Sequence, residues 1–198
     1  HYVSSAGHGL YEFKDFKFIK RYDYTNSPLQ TILPDSPRPQ DYVRCDALQY
    51  DTEGNLWMVN SEVDTILTIL KKDNTWTKLY YEELKKAPNL PAMFFDDKGR
   101  LWVLSKRNST NKAGVFVLDY HGTLEDTSDD IHIIRKDITN QDGVQYDPYY
   151  FNSFAQDLNK QIWVGTNEGL FVIEDPDEFI QNDDFRFTQI KIARNDGT

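Results

Sequence analysis

Asp51-Thr52-Glu53-Gly54-Asn55-Leu56-Trp57-Met58-Val59-Asn60 is a turn followed at once by a β-run with tryptophan in its second position. The unit returns as Asp97-Lys98-Gly99-Arg100-Leu101-Trp102-Val103-Leu104-Ser105, and again as Asp157-Leu158-Asn159-Lys160-Gln161-Ile162-Trp163-Val164-Gly165-Thr166. Three of the four tryptophans therefore occupy one position of one repeated unit. Repetition of this kind means a stack of equivalent supersecondary units, none of which can bury its apolar face alone.

Trp57, Trp102 and Trp163 lie 45 and then 61 residues apart, and the surplus falls in the polar stretches 124–130 and 137–148. A period of roughly 40 to 50 residues is the length of a four-stranded propeller blade. Each unit reads in the same order: an apolar run (45–50, 91–95, 152–156), the turn, then the tryptophan strand. A third run follows at 65–70, 114–119 and 169–174, and a fourth at 75–80, 131–134 and 185–192. These runs carry the β-branched and aromatic residues that favour strands, and 185–192 alternates with period two. Gly54 and Gly99 supply the positive φ of a tight hairpin; Asn159 reads as their counterpart in the third turn, since asparagine tolerates that conformation. Residues 81–87 predict a short helix, ended by Pro88.

The chain's ends carry the pattern in broken form. His1-Tyr2-Val3 aligns with Ile162-Trp163-Val164 and Gly9 with Gly169 if one residue is inserted before the glycine, so the chain is expected to begin at the second strand of a blade. The fold class is all-β: a propeller segment of four-stranded antiparallel blades, about three and a half of them in an incomplete ring. The expected organisation is one domain over 1–198, with a partial blade at 1–24, blades near 42–80, 91–134 and 152–192, and turn chemistry opening another at 193–198. With no initiating methionine and no signal peptide, a mature or excised piece is expected.

Apolar content of 39% suffices for a core, and no run of 18 apolar residues offers a membrane span. The net charge of −10 repels phosphate backbones and argues against a nucleic-acid partner. The single cysteine, Cys45, sits in an apolar strand, where burial is the expectation. His1, His8, His121 and His132 share no metal-ligand spacing, and neither Asp73-Asn74-Thr75 nor Asn140-Gln141-Asp142-Gly143 fits a calcium loop. No nucleophile elbow or local Ser/His/Asp set occurs. No catalytic residue, metal or cofactor is therefore assigned.

The units around Trp57 and, more plainly, Gln161-Ile162-Trp163-Val164-Gly165-Thr166-Asn167-Glu168-Gly169-Leu170-Phe171 resemble the two-component regulator propeller repeat. That family supplies the periplasmic sensor portions of bacterial hybrid two-component systems and related secreted or surface proteins. Leu56-Trp57-Met58-Val59-Asn60-Ser61 followed by Lys72-Asp73-Asn74-Thr75-Trp76, and the ending Ala193-Arg194-Asn195-Asp196-Gly197-Thr198, look more like the propellers associated with type IX secretion than like the polysaccharide-sensing kinases. Asn159 replaces the usual glycine of the repeat, and the first two units lack its Gly-Thr after the tryptophan. No kinase, receiver or DNA-binding segment is present.

The resemblance implies a non-catalytic binding or scaffold module at the periplasm or cell surface, either sensing a glycan or serving a secretion apparatus. A propeller polysaccharide hydrolase or lyase is the alternative. The expected partners are a glycan or protein ligand, and the rest of a parent propeller or a second copy of the chain, because an incomplete ring leaves apolar faces uncovered. Candidate ligand-binding residues are Tyr146, Tyr149, Tyr150 and Phe151, within the long aromatic stretch 143–151. The repeated tryptophans read instead as spacers packed between blades.

Overall fold

The computed structural model describes residues 1–87, 90, 92–106 and 112–192. The expected turn at 193–198, with Pro88 and Pro91, lies outside them. The N-terminal sheet has three strands, β1 (Tyr2–Ser5), β2 (Gly9–Lys14) and β3 (Lys17–Tyr22). The second is β4 (Cys45–Tyr50), β5 (Leu56–Asn60), β6 (Leu67–Leu70) and β7 (Trp76–Leu79). The third is β8 (Ala92–Phe95), β9 (Leu101–Ser105), β10 (Gly114–Asp119) and β11 (Ile131–Arg135). A ribbon of β12 (Ile138–Thr139) and β13 (Gln145–Tyr146) precedes the last sheet, β14 (Phe151–Gln156), β15 (Ile162–Thr166), β16 (Gly169–Ile173) and β17 (Thr188–Gln189).

Within every sheet the strands follow chain order and pair antiparallel with their neighbours. The first strands of successive sheets approach one another, β4 against β8 and β14 against β8 and β9, so the sheets fan outward from a shared inner edge. This is an all-β propeller segment whose ring is not closed.

Each junction between sheets is filled by the inward residues of both. Leu10, Tyr22, Cys45, Met58 and Trp76 fill the first, and Trp57, Val59, Ile69, Phe95, Phe116 and Tyr120 the second. Trp102, Leu104, Val115, Phe151, Val164, Phe171 and Phe179 fill the third. Trp57 and Trp102 are completely buried, each capped by a ring of the following sheet: Tyr120 lies 5.0 Å from Trp57, and Phe179 lies 5.2 Å from Trp102. Trp163, on the last sheet, is only half-buried.

One turn is built the same way in every sheet that carries the tryptophan. Asp51 accepts the backbone N–H groups of Glu53 and Asn55 on Oδ1, and on Oδ2 the side-chain amide of Asn55 and the Trp57 indole N–H at 2.9 Å. Asp96 does likewise for Lys98, Arg100 and Trp102, and Asp157 for Asn159, Gln161 and Trp163, each indole bond again 2.9 Å. The carboxylate thus fixes the turn and satisfies the one polar atom of a ring that is otherwise core.

That geometry corrects two expectations. The aspartate of the second unit is Asp96, six residues before its tryptophan, not Asp97, which turns outward to Gln156 and Lys160. The residue with left-handed backbone in the third turn is Lys160 (φ 70°), at the place of Gly54 (φ 91°) and Gly99 (φ 82°), and not Asn159.

Two further elements depart from the sequence reading. Residues 81–87 hold only a 3₁₀ turn, Glu82–Leu84. The run 185–192 contributes just Thr188–Gln189 to its sheet, because Phe187 N–H bonds Thr139 O and its ring enters the core. Between β16 and β17 lies a helix that the sequence reading did not anticipate, α1 (Pro176–Gln181). Asp175 caps it by accepting the N–H groups of Asp177 and Glu178, Pro176 occupies the first turn, and Arg135 donates to the carbonyls of Phe179 and Asn182 at its far end. Arg100, 4% exposed, bridges Asp96 and Asp177 at 2.6 Å each and so ties the third sheet's turn to α1.

Removing either fully buried tryptophan, Trp57→Ala or Trp102→Ala, should cost about 3–5 kcal/mol in a urea titration, and Trp163→Ala clearly less. Gly54→Val and Gly99→Val are expected to lower the urea midpoint by forcing a β-branched residue into left-handed backbone, whereas Lys160→Gly should raise stability by up to about 1 kcal/mol. The Trp163 indole first of all, with two backbone N–H groups, holds Asp157 below the usual aspartate range; Lys98 and then Arg100 do so for Asp177. An unfolded aspartate titrates near about 3.9, so their contribution is fully present above that pH and is lost as pH falls through the lower folded values. The urea midpoint should therefore drop between about pH 4 and pH 2, and less steeply in Asp157→Asn.

Candidate functional site

The aromatic stretch 143–151 is split by the fold. Its first part is a fourth copy of the turn. Asn140 Oδ1 accepts the N–H groups of Asp142 and Val144, Gly143 takes φ 79°, and an aromatic, Tyr146, again stands six residues on. Here an amide replaces the carboxylate and a phenol the indole. Gln189 Oε1 receives both Asn140 Nδ2 and the Tyr146 hydroxyl at 3.0 Å, which anchors the ribbon to β17. Tyr146 also packs edge-on against Phe171 at 5.3 Å, and Phe151 is wholly buried in the third junction. These two residues serve the core.

Tyr149 and Tyr150 remain outside, 50% and 44% exposed, with rings edge-to-face at 4.6 Å. Their position is fixed by the β15–β16 hairpin: Asn167 Oδ1 accepts the Tyr150 N–H at 2.8 Å, and the Asn167 N–H donates back to Tyr150 O. Two residues before Tyr149, Asp147 lies 3.5 Å from Lys112, which also pairs with Asp137 at 2.7 Å. The result is an exposed aromatic pair whose second member is held at both backbone groups by the β15–β16 hairpin. Such a surface offers contact area at small entropic cost to a protein side chain or a flat ring. Asn167 was legible only as a hairpin residue of the repeat, and nothing in the sequence tied it to Tyr150.

The opposite end of the sheets, where the aspartate turns lie, has hollows of about 230 and 530 Å³ around Lys98, Arg100 and Asp177. Their bases are already paired, so an anionic ligand would have to break the ties between the third sheet and α1. Burial, with Asp46 adding to it, pushes the Cys45 thiol up to about 12, which leaves it protonated and unreactive. Among the described residues, no group of three or more His, Cys, Asp or Glu is placed to hold a metal ion, and no helix is long and apolar enough to cross a membrane.

The fold and its exposed loops define a β-propeller segment with a candidate recognition surface. Among solved structures it is similar to PorZ, described as an essential bacterial surface component of the type-IX secretion system of Porphyromonas gingivalis: TM-score 0.84 and 24% identity over 96% of this chain. The chain spans 25% of that protein's chain. No protein-family profile matches the sequence, and no curated protein does.

Proposed function

We propose that this chain is a propeller segment of an extracytoplasmic surface component serving a type IX-like secretion apparatus, and that it works by binding protein, without catalysis. The observation that carries the reading is the likeness to PorZ along almost the whole chain, coupled with the same secretion-type resemblance in Leu56–Ser61 and Lys72–Trp76. The Tyr149–Tyr150 pair, clamped by Asn167, is the contact surface, and the blades behind it act as a rigid mount. A glycan-sensing role in a two-component system has the repeat's resemblance behind it and no feature of the site that favours a sugar over a protein.

Deletion of the gene in its source bacterium tests the role. Secreted proteins should fall several-fold in the medium and at the surface while accumulating inside the cell, and intact cells should expose the protein to added protease. Complementation with Tyr149→Ala/Tyr150→Ala should restore the folded protein at the surface but not secretion. Unchanged secretion in the deletion would end the secretion reading, and product released from polysaccharide by the purified protein would end the non-catalytic one.

A further inference from the structure

The outermost strand of an open sheet carries a row of unpaired N–H and C=O groups, a template for another strand unless something blunts it. The four sheets described here have four such edges, and three of them are blunted. β3 carries Lys17, Lys20 and Arg21 and a break in its register with β2. β7 is four residues long with Lys78 within it. β17 has two residues, and the chain's own ribbon runs beside it: Phe187 N–H donates to Thr139 O, Gln189 N–H donates to Gln141 Oε1, and Asn140 forms a parallel bridge with Phe187.

β11 is the exception. Its five residues pair with β10 without a register shift, and Ile131-His132-Ile133-Ile134 holds no lysine, proline or carboxylate. Among the described residues, no backbone group of the strand bonds anything beyond β10. This edge is not open because of where the chain starts or stops. The third sheet lies between two others, with Ile134 packed into the junction of Trp57 and Ile133 into that of Trp102. The polar side chains of the strand are used inside the fold: His132 packs on Tyr81 at 4.8 Å, and Arg135 donates to the carbonyls of α1.

Two features beside the edge define what fits it. The 530 Å³ hollow opens at the first residue of the strand, where its wall is Ile131, 49% exposed, with Ile180 and Gln181. The bases of that hollow are already paired with Asp177, so the free wall suits an uncharged side chain. At the two ends of the strand stand Asp129 and Lys136, of opposite sign. Neither makes an ion pair or a side-chain hydrogen bond among the described residues.

We propose that β11 takes up an extended segment of a partner protein as a fifth, antiparallel strand of the third sheet, about eight residues long, with an acid at its N-terminal end opposite Lys136, a base at its C-terminal end opposite Asp129, and an apolar side chain in the hollow beside Ile131. The ribbon beside β17 is a contact of the same kind made within the chain. The β11 contact is separate from the Tyr149–Tyr150 pair and holds whether or not the chain serves secretion.

The probe is the end-capped peptide Glu-Val-Thr-Val-Thr-Val-Thr-Lys, whose valines fall opposite Ile131, Ile133 and Arg135 in that register, with Lys-Val-Thr-Val-Thr-Val-Thr-Glu as its reversed-charge control. Both are titrated into the 198-residue chain, and amide hydrogen exchange is followed by NMR. With the first peptide, the amides of residues 131–135 that do not pair with β10 should exchange about tenfold more slowly or better. The control should bind several-fold more weakly at low salt, and the gap should close at high salt. Asp129→Lys/Lys136→Glu should reverse the preference between the peptides. Ile131→Lys should weaken binding of the first peptide and leave the urea midpoint unchanged. The proposal fails if neither peptide binds at millimolar concentration, if the two bind equally at low salt, if protection appears at β7 or Tyr150 in place of β11, or if the natural full-length polypeptide protects the β11 edge by itself.

Discussion

A carboxylate that accepts the indole N–H of a tryptophan six residues later is the interaction on which this architecture rests. A tryptophan fills the space between two sheets at least cost when its nitrogen is satisfied, because a buried N–H without a partner costs about 1–3 kcal/mol, more than a made hydrogen bond contributes net. Asp51, Asp96 and Asp157 meet that need while their second oxygen fixes the turn that starts the strand. Local turn and long-range packing are thereby set by the same side chain. Where the device is fully used the ring is sealed between sheets. Where the following sheet is missing from the described chain, at Trp163, the hydrogen bond persists and the burial does not.

The residue four positions after the aspartate extends its reach. Asn55 gives its amide N–H to Asp51 and accepts the backbone N–H of Lys72, which links two hairpins of one sheet. Arg100 is longer: buried against Asp96, it spans to the half-exposed Asp177 on the next sheet's helix, so the third and last sheets are joined by an ion pair buried on its Arg100 side as well as by apolar contact. Pairs of this kind confer little net stability when well formed but are costly to break, so their effect is to fix how the two sheets sit. The same helix delivers Phe179 to Trp102, and Arg135 holds its far end in place.

Much of the fold was legible because tryptophan and turn recur at one spacing, and the strand runs follow from that register. What escaped the sequence follows from particular atoms. Alignment on the visible Asp-x-Gly of the second unit chose Asp97, although counting six back from each tryptophan gives an aspartate all three times. The same miscount put Asn159 where Lys160 stands. The helix α1 was readable in principle from Asp175-Pro176 followed by Asp177 and Glu178, but the strong alternation of 185–192 suggested a full strand that the ribbon's claim on Phe187 prevents. At the candidate site, sequence reading found the aromatic stretch but could not divide it. Phe151 and Tyr146 went to the core because they face Phe171 and its neighbours, and the outward pair depends on a backbone bond to Asn167 that no local pattern encodes.

The ribbon that Asn140 and Gln189 join to the last sheet sets where the molecule loosens first. A closing strand of two residues has little ladder of its own to hold it, and its hold comes largely through side-chain amides on residues 140, 141 and 189. Local opening there is consequently not a fraying of one edge. Strand and ribbon must part together, as a small cooperative unit whose free energy lies below that of the sealed junctions. Besides these amides, Lys191 pairs with Asp142 and the Thr188 hydroxyl donates to Glu174, so the closing strand is released only when its ties to the ribbon and to β16 break in one step.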